Sequence, residues 1–356
     1  TAIFVFLGVA FSRFLTTENW TRKAFYRTLL GAIFNICLNL VLIPLYGIKG
    51  AAVATLLGQF TANYIYDIFD KDLHQQLKMK TKMFPLDVDN QNLGKIINLL
   101  KLNNNFLASS ITLPHKEKVI KYLDDVDQTA QEIGSVNLIV KEKNRLKGYN
   151  TDSLGFLCSV NKIKKKIKNI LIIGCGGAGK SCIISTKNRF PMANIFLFNR
   201  DLKKLKKFYK SIKTKKKNIK IIKNFIFLNE LRKLDLIINT TSIGFDLLVP
   251  PNNLNLKYFS PISQSEIKIN KLNSSEKVIN KIIDNLLETF VFLKANSKAY
   301  IFDIIYNPPQ TTIMKIGENV GMKSINGLEM NFMQAVEAFK IVNKKINKKK
   351  IIEVME

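Results

Sequence analysis

The run Ile170-Leu171-Ile172-Ile173-Gly174-Cys175-Gly176-Gly177-Ala178-Gly179-Lys180-Ser181 constrains the fold more than any other part of the chain. Its uninterrupted apolar start predicts a buried strand. The glycines then demand a sharp turn, close backbone approach to a ligand and entry into a helix. Two known spacings overlap here. Gly174, Gly176 and Gly179 fit G-x-G-x-x-G, in which helix amides face the pyrophosphate of a dinucleotide. The same residues fit G-x-x-x-x-G-K-S, in which Lys180 would meet the phosphates of a nucleoside triphosphate and Ser181 a magnesium ion. Only one of the two can operate.

The following strand favours the dinucleotide. Asn194 to Phe198 ends in Asn199-Arg200, about 25 residues past Gly174, where a dinucleotide fold reads the adenosine ribose. Arg200 and Lys204 supply two cations there, which suits the 2′-phosphate of NADP(H). The triphosphate alternative needs an apolar strand ending in a magnesium-binding Asp. Asp235 instead precedes its strand, and Asp303 follows a short one. On the dinucleotide reading Lys180 and Ser181 have no required role. Further strands are predicted at Lys168 to Ile173, Asp235 to Asn239 and Ala299 to Ile305, with helical patterns between them. Such alternation argues a parallel sheet in an α/β fold. The Lys/Asn/Ser-rich segment 252–296 reads as an insertion.

The net charge of +28 would draw anionic ligands. The basic runs at Lys162–Lys168, Lys203–Lys207 and Lys344–Lys350 lack interleaved aromatics for base stacking, so no nucleic-acid partner is expected. Four cysteines without a C-x-x-C make no disulfide framework. His74 and His115, far apart in sequence, are the only histidines, so no metal site is expected.

The first 82 residues differ in kind. Ala2–Ala10, Leu29–Tyr46 and Ala51–Ile68 are apolar, the last two near the length needed to cross ~30 Å of hydrocarbon. Arg13, Arg22, Lys23 and Arg27 on one side, and Lys71, Lys78, Lys80 and Lys82 on the other, would place both basic segments in the cytoplasm. Arg27-Thr28-Leu29-Leu30, Asn35, Asn39, Leu42-Ile43-Pro44 and Gly47 to Thr55 resemble the carboxy-terminal helices of polysaccharide (O-antigen) flippases. That likeness implies about three transmembrane helices anchoring the chain to a membrane. An alternative reading makes the chain a transporter fragment with a non-catalytic nucleotide-binding tail.

From Met83 onward a second likeness takes over. Ser109 to Lys116, Ile133 to Asn137, Gly148 to Phe156, Ile238 to Gly244, Asp303 to Thr311 and Gly327 to Phe339 resemble, in order, the signatures of the shikimate dehydrogenases. The resemblance implies NADPH-dependent reduction of 3-dehydroshikimate to shikimate. It implies Lys116 as general acid/base with Asp152 orienting it, and Thr112, Asn137, Thr151, Tyr306 and Gln334 around the substrate. It implies Gly174, Gly176, Gly177, Ala178, Gly179, Asn199, Arg200, Lys204, Thr240 and Gly327 around the cofactor. The implied architecture is a truncated α/β substrate domain at 83–157, a Rossmann-type parallel-sheet domain at 158–330 and a C-terminal helix at 331–356 returning to the substrate domain. Phe84 to Val88 would be the family's second strand. Its first strand and Ser-x-Ser segment find no counterpart, which predicts impaired activity, and Ser110 stands in place of the signature Asn.

Overall fold

Strands without a polar break must be covered on both faces, and the larger sheet meets that need. In the computed structural model, which describes residues 29, 32–47, 53, 85–112, 114–212, 218–223, 231, 233–246, 256–262 and 275–355, six parallel strands carry the chain's apolar runs. They are β5 (Asn169–Ile173), β6 (Asn194–Phe198), β7 (Ile219–Ile221), β8 (Leu236–Asn239), β9 (Tyr300–Asp303) and β10 (Lys323–Ile325), preceded in the chain by four strands of a second sheet. The spatial order is β10-β9-β8-β5-β6-β7. This is the doubly wound dinucleotide-binding order, and its reversal point lies between β5 and β8. Ile170 and Ile172 face one buried cluster, while Leu171 and Ile173 face another on the opposite side.

The smaller sheet holds β1 (Ala108–Ser110), β2 (Asp125–Val126), β3 (Leu138–Glu142) and β4 (Arg145–Tyr149), in the order β1-β3-β4-β2. β3 and β4 form an antiparallel hairpin turned by Lys143 and Asn144, both at positive φ. β2 runs parallel to β4. Helix α1 (Leu93–Leu102) covers this sheet with Leu93 and Ile97. Helix α2 (Gln128–Ile133) is capped by Asp127, which accepts from the Thr129 amide, and is stopped by left-handed Gly134.

Two further helices frame the site. Helix α3 (Asp152–Val160) leaves β4, and α8 (Leu328–Val342) lies against it. Gly155 permits the contact, since a Cβ there would stand 2.3 Å from the Met330 carbonyl oxygen. Between them in sequence come α4 (Gly177–Arg189), α5 (Leu202–Ser211), α6 (Ser275–Ala295) and α7 (Thr312–Asn319). The insertion thus contributes a long helix, whose Phe292 and Leu293 enter the core.

The N-terminal unit, residues 1–85 with 353–356, departs from expectation. The transmembrane helices, and with them the membrane anchor, are not borne out: among the described residues no helix is long and apolar enough to cross a membrane. The main described part of this region is the helical stretch at 32–47. It carries a polar pair, Asn39 donating to Asn35 at 2.6 Å. The expected spans at Ala2–Ala10 and over nearly all of Ala51–Ile68 lie outside the described residues. Where described, at 85–88, the expected strand at Phe84–Val88 is irregular backbone. There the Val88 carbonyl lies 2.6 Å from His115 Nε2.

Candidate active site

Site residues come from the loops that follow β1, β4, β5, β6 and β8, from the turn before β3, and from α8 with the glycine before it. At the larger sheet's reversal point, β5 ends in Gly174, held at φ +108°. No side chain fits there: a Cβ would lie 2.4 Å from Thr240 Oγ1. Thr240 follows β8 and gives both its amide (2.8 Å) and its hydroxyl (2.9 Å) to the Ile173 carbonyl. Gly179 packs under the same hydroxyl, with a built Cβ 2.7 Å away. Gly176 is the N-cap of α4 and has open space where a Cβ would be. The first turn of α4 carries no acidic residue, so its amides and partial positive charge suit an anion. The cradle therefore fits a dinucleotide pyrophosphate, with Ala178 partly exposed beside it.

After β6, Asn199 donates to the Asp201 carbonyl at 2.8 Å. Asp201 caps α5 by accepting the Lys204 amide at 2.9 Å. Arg200 is exposed, as a phosphate ligand would be. Gly327 closes the mouth from the far side: its amide bonds Ile305 O at 3.1 Å, and a Cβ would fall 1.9 Å from Ile304 O.

The polar centre lies across from this turn. Lys116 Nζ donates to Asp152 Oδ2 at 2.7 Å, although the two are 36 positions apart. Their side chains are 13% and 2% exposed, so the pair is largely out of water. Asn137 Nδ2 lies within 2.9 Å of Asp152 Oδ1, 2.9 Å of Thr151 Oγ1 and 3.0 Å of Gln334 Oε1. Its Oδ1 accepts the Thr151 amide at 2.8 Å. Two amide hydrogens face three acceptors, so one acceptor is left for another donor. Gln334 reaches this centre from α8, steadied by Asn331 at 2.6 Å.

Lys116 also abuts the glycine turn. A Cβ on Gly177 would stand 3.0 Å from Lys116 Cβ and 2.8 Å from Ser135 Oγ. Lys116, Asp152, Asn137, Thr151 and Gln334 are therefore gathered at one place. Thr112 is exposed, and its carbonyl accepts the His115 amide at 2.9 Å. Tyr306 is half-buried just before the cis Asn307–Pro308 bond.

Several residues escaped the sequence reading. Asp303, at the end of β9, is buried and accepts from Asn239 Nδ2, the Ile305 amide and Thr311 Oγ1. Burial pushes its carboxyl up to about 6, against the pull of those three donors. Glu117 pairs with Lys180 at 2.7 Å and Lys204 at 2.8 Å. Burial raises its pKa, but the two lysines outweigh that effect and hold it below the ordinary value. Asn150 accepts from Ser181 Oγ at 3.2 Å. No spacing rule announces these pairings.

Fold and site define a two-part α/β protein of the dinucleotide-binding class, with a buried Lys–Asp pair facing the glycine turn. The family model for the shikimate dehydrogenase substrate binding domain matches residues 68–139, beginning inside the stretch that resembled a transporter. A shikimate dehydrogenase (NADP(+)) of Methanosphaera stadtmanae is 32% identical over 274 residues, 75% of this chain and 83% of that protein. Another of the same name, from Halothermothrix orenii, is 34% identical across 67% of this chain and 72% of its own. A crystal structure of shikimate dehydrogenase in complex with NADP+ superposes with a TM-score of 0.58 at 26% identity, covering 80% of this chain and 88% of that one. The Aquifex aeolicus enzyme gives the same TM-score at 24% identity over 80% and 90%, a likeness of fold. The chain belongs to the shikimate dehydrogenase family.

Proposed function

We propose that the chain catalyses the NADPH-dependent reduction of 3-dehydroshikimate to shikimate, and its reverse. One observation carries the reading: the Lys116–Asp152 pair, 2.7 Å apart and nearly dry, stands against the glycine turn that suits a dinucleotide. NADP(H), when bound, supplies or takes up the hydride. Arg200 and Lys204 would receive its 2′-phosphate, and Gly174 to Gly179 its pyrophosphate.

The chain's own side chains then handle position and protonation. Reduction of a ketone leaves an oxygen that must gain a proton. Lys116 Nζ provides it, and in oxidation recovers it from the hydroxyl. Asp152 fixes the ammonium's direction and balances its charge in a site that excludes water. Asn137, Thr151 and Gln334 offer the spare acceptor to a ring hydroxyl, with Thr112 and Tyr306 at the rim. The smaller sheet with α8 serves as the substrate side, on a division at 83–157, 158–330 and 331–356.

The test is oxidation of shikimate by the purified chain with NADP+, followed by NADPH absorbance. Lys116→Ala should lower kcat by on the order of 10²- to 10⁴-fold, the usual range for general acid–base catalysis. Wild-type turnover in that variant would remove the reading.

A further inference from the structure

The Gly-Lys-Ser end of the glycine motif is the feature that a dinucleotide site leaves unused. Neither of its side chains is idle. Lys180 Nζ lies 2.7 Å from Glu117 Oε2 and 5.3 Å from the Phe208 ring centre. Its side chain is 12% exposed. Glu117 belongs to the loop of the smaller-sheet half, and its other oxygen takes Lys204 at 2.8 Å. Ser181 is buried, and its hydroxyl is 3.2 Å from both Asn150 Oδ1 and the Gly177 carbonyl. Asn150 also belongs to the smaller-sheet half, where its amide holds the Ser135 carbonyl at 2.8 Å.

The two attachments have a common design. Glu117 directly follows Lys116 in the chain, and Asn150 precedes Asp152 by two. Each member of the acid–base pair is therefore tied to helix α4 through a close neighbour. Between the two ties, the Lys116 stem rests on Gly177, where even a methyl group would crowd it. The Glu117 carboxylate pairs with two lysines across the seam, Lys180 and Lys204.

We propose that Lys180 and Ser181 are positioning residues, which hold the Lys116–Asp152 pair in register with the cofactor helix through Glu117 and Asn150. This rests on the reading of Lys116 and Asp152 as the acid–base pair. Misplacement of a reacting group by about 1 Å costs on the order of 10²-fold in rate, so a loosened tie should appear in turnover before binding.

The test uses the full chain with Lys180→Met, Lys180→Arg, Ser181→Ala and Glu117→Gln. Three quantities are read: kcat and KM for shikimate, the Kd of NADPH from its fluorescence without turnover, and the labelling rate of Lys116 by an amine reagent, from peptide mass spectrometry. Lys180→Met and Glu117→Gln should each lower kcat about tenfold; in Lys180→Met, NADPH Kd should stay within about twofold of wild type. Lys116 labelling should rise severalfold, Ser181→Ala should show the same pattern more weakly, and Lys180→Arg should restore most of the rate. Unchanged kcat and labelling in Lys180→Met would overturn the proposal. So would a loss lying wholly in NADPH Kd, which would make Lys180 a cofactor ligand. If the wild-type chain fails to oxidise shikimate, the functional reading falls; the labelling comparison still decides whether these ties place Lys116.

Discussion

The two sheets of this molecule solve different problems. The parallel sheet is apolar through its thickness: Ile170, Leu171, Ile172 and Ile173 are all buried, and clusters cover both faces. The mixed sheet is smaller and delivers polar side chains. Asn137 directly precedes β3, and β4 runs out into Asn150-Thr151-Asp152; these residues supply much of the site. The large sheet gains from burial and shapes its mouth with backbone alone, as at Gly174 and Gly327. The small sheet must hold amide, hydroxyl and carboxylate groups at hydrogen-bonding distance with little water to forgive errors. The contrast teaches that stability and chemistry are drawn from separate layers.

Paired substitutions can break that contrast. Ile172→Ala, in the middle of β5, should cost about 2–5 kcal/mol of unfolding free energy by the usual large-to-small rule. It should leave kcat of the folded fraction near wild type. Gly148→Ala, in β4, would press a methyl to within 2.6 Å of Leu123 Cδ1 and 2.7 Å of Val136 Cγ2. Leu123 can swing aside but the buried, β-branched Val136 cannot, so the stability loss should lie near the upper end of the ~1–3 kcal/mol of overpacking. Val136 precedes Asn137, however, and kcat should fall more than stability. Urea unfolding and steady-state kinetics on both variants check this; kcat losses in proportion to stability would erase the distinction.

Asp303 is the exception that sharpens the comparison, being a carboxyl within the apolar sheet. Its folded pKa, about 6, lies above the ordinary 3.8. Below pH ~4 both states bind its proton. Between ~4 and ~6 the native state keeps the proton and the unfolded state does not, so this group's stabilising contribution is lost as pH rises. At 1.36 kcal/mol per pH unit the effect is on the order of 3 kcal/mol. Carboxylates such as Glu117 and Asp235, with lowered values, slope the opposite way. The clean measurement is therefore wild type against Asp303→Asn across that window. The variant should gain on wild type as pH rises to 7, and a constant difference would refute the shift.

The same division explains what could be read from the sequence. β5, β6, β8 and β9 are recovered within a residue or two because unbroken apolar runs are visible without context. β7 (Ile219-Lys220-Ile221) and β10 (Lys323-Ser324-Ile325) are three-residue edges, too short to show a period. Helix α6 hid in the insertion because its contrast is blurred. Inward-facing Asn285 and Thr289 bond Ser260 and Ile262, while Ile279, Ile283, Leu287 and Val291 lie exposed. At the site, Lys116 and Asp152 are brought together by two loops, and only the family likeness suggested them. The ties of Lys180 and Ser181 to Glu117 and Asn150 were invisible, because tertiary pairing leaves no periodic trace. The apolar N-terminal stretch misled in the opposite sense, since run length and flanking charge suggested spans that the described residues do not show.

The smallest expected effect lies where the large sheet does use charge. Asp235 stands at the entrance to β8, and its Oδ2 accepts the amides of Lys168 (2.9 Å) and Asn169 (3.0 Å) at the start of β5. Lys165 pairs with Oδ1 at 2.7 Å, but its side chain is 34% exposed. Burial raises the Asp235 pKa, and the Lys165 bond and two amides more than offset it. The amides join adjacent strands, the Asn169 one part-buried, whereas the ammonium is open to water and salt. Lys165→Met should therefore cost at most about 1 kcal/mol, as exposed ion pairs do, and the loss should shrink further in molar salt. Asp235→Ala should cost more, because it leaves two strand-start amides without an acceptor. Equal losses from the two variants would mean that the ion pair, not the backbone clasp, fastens β5 to β8.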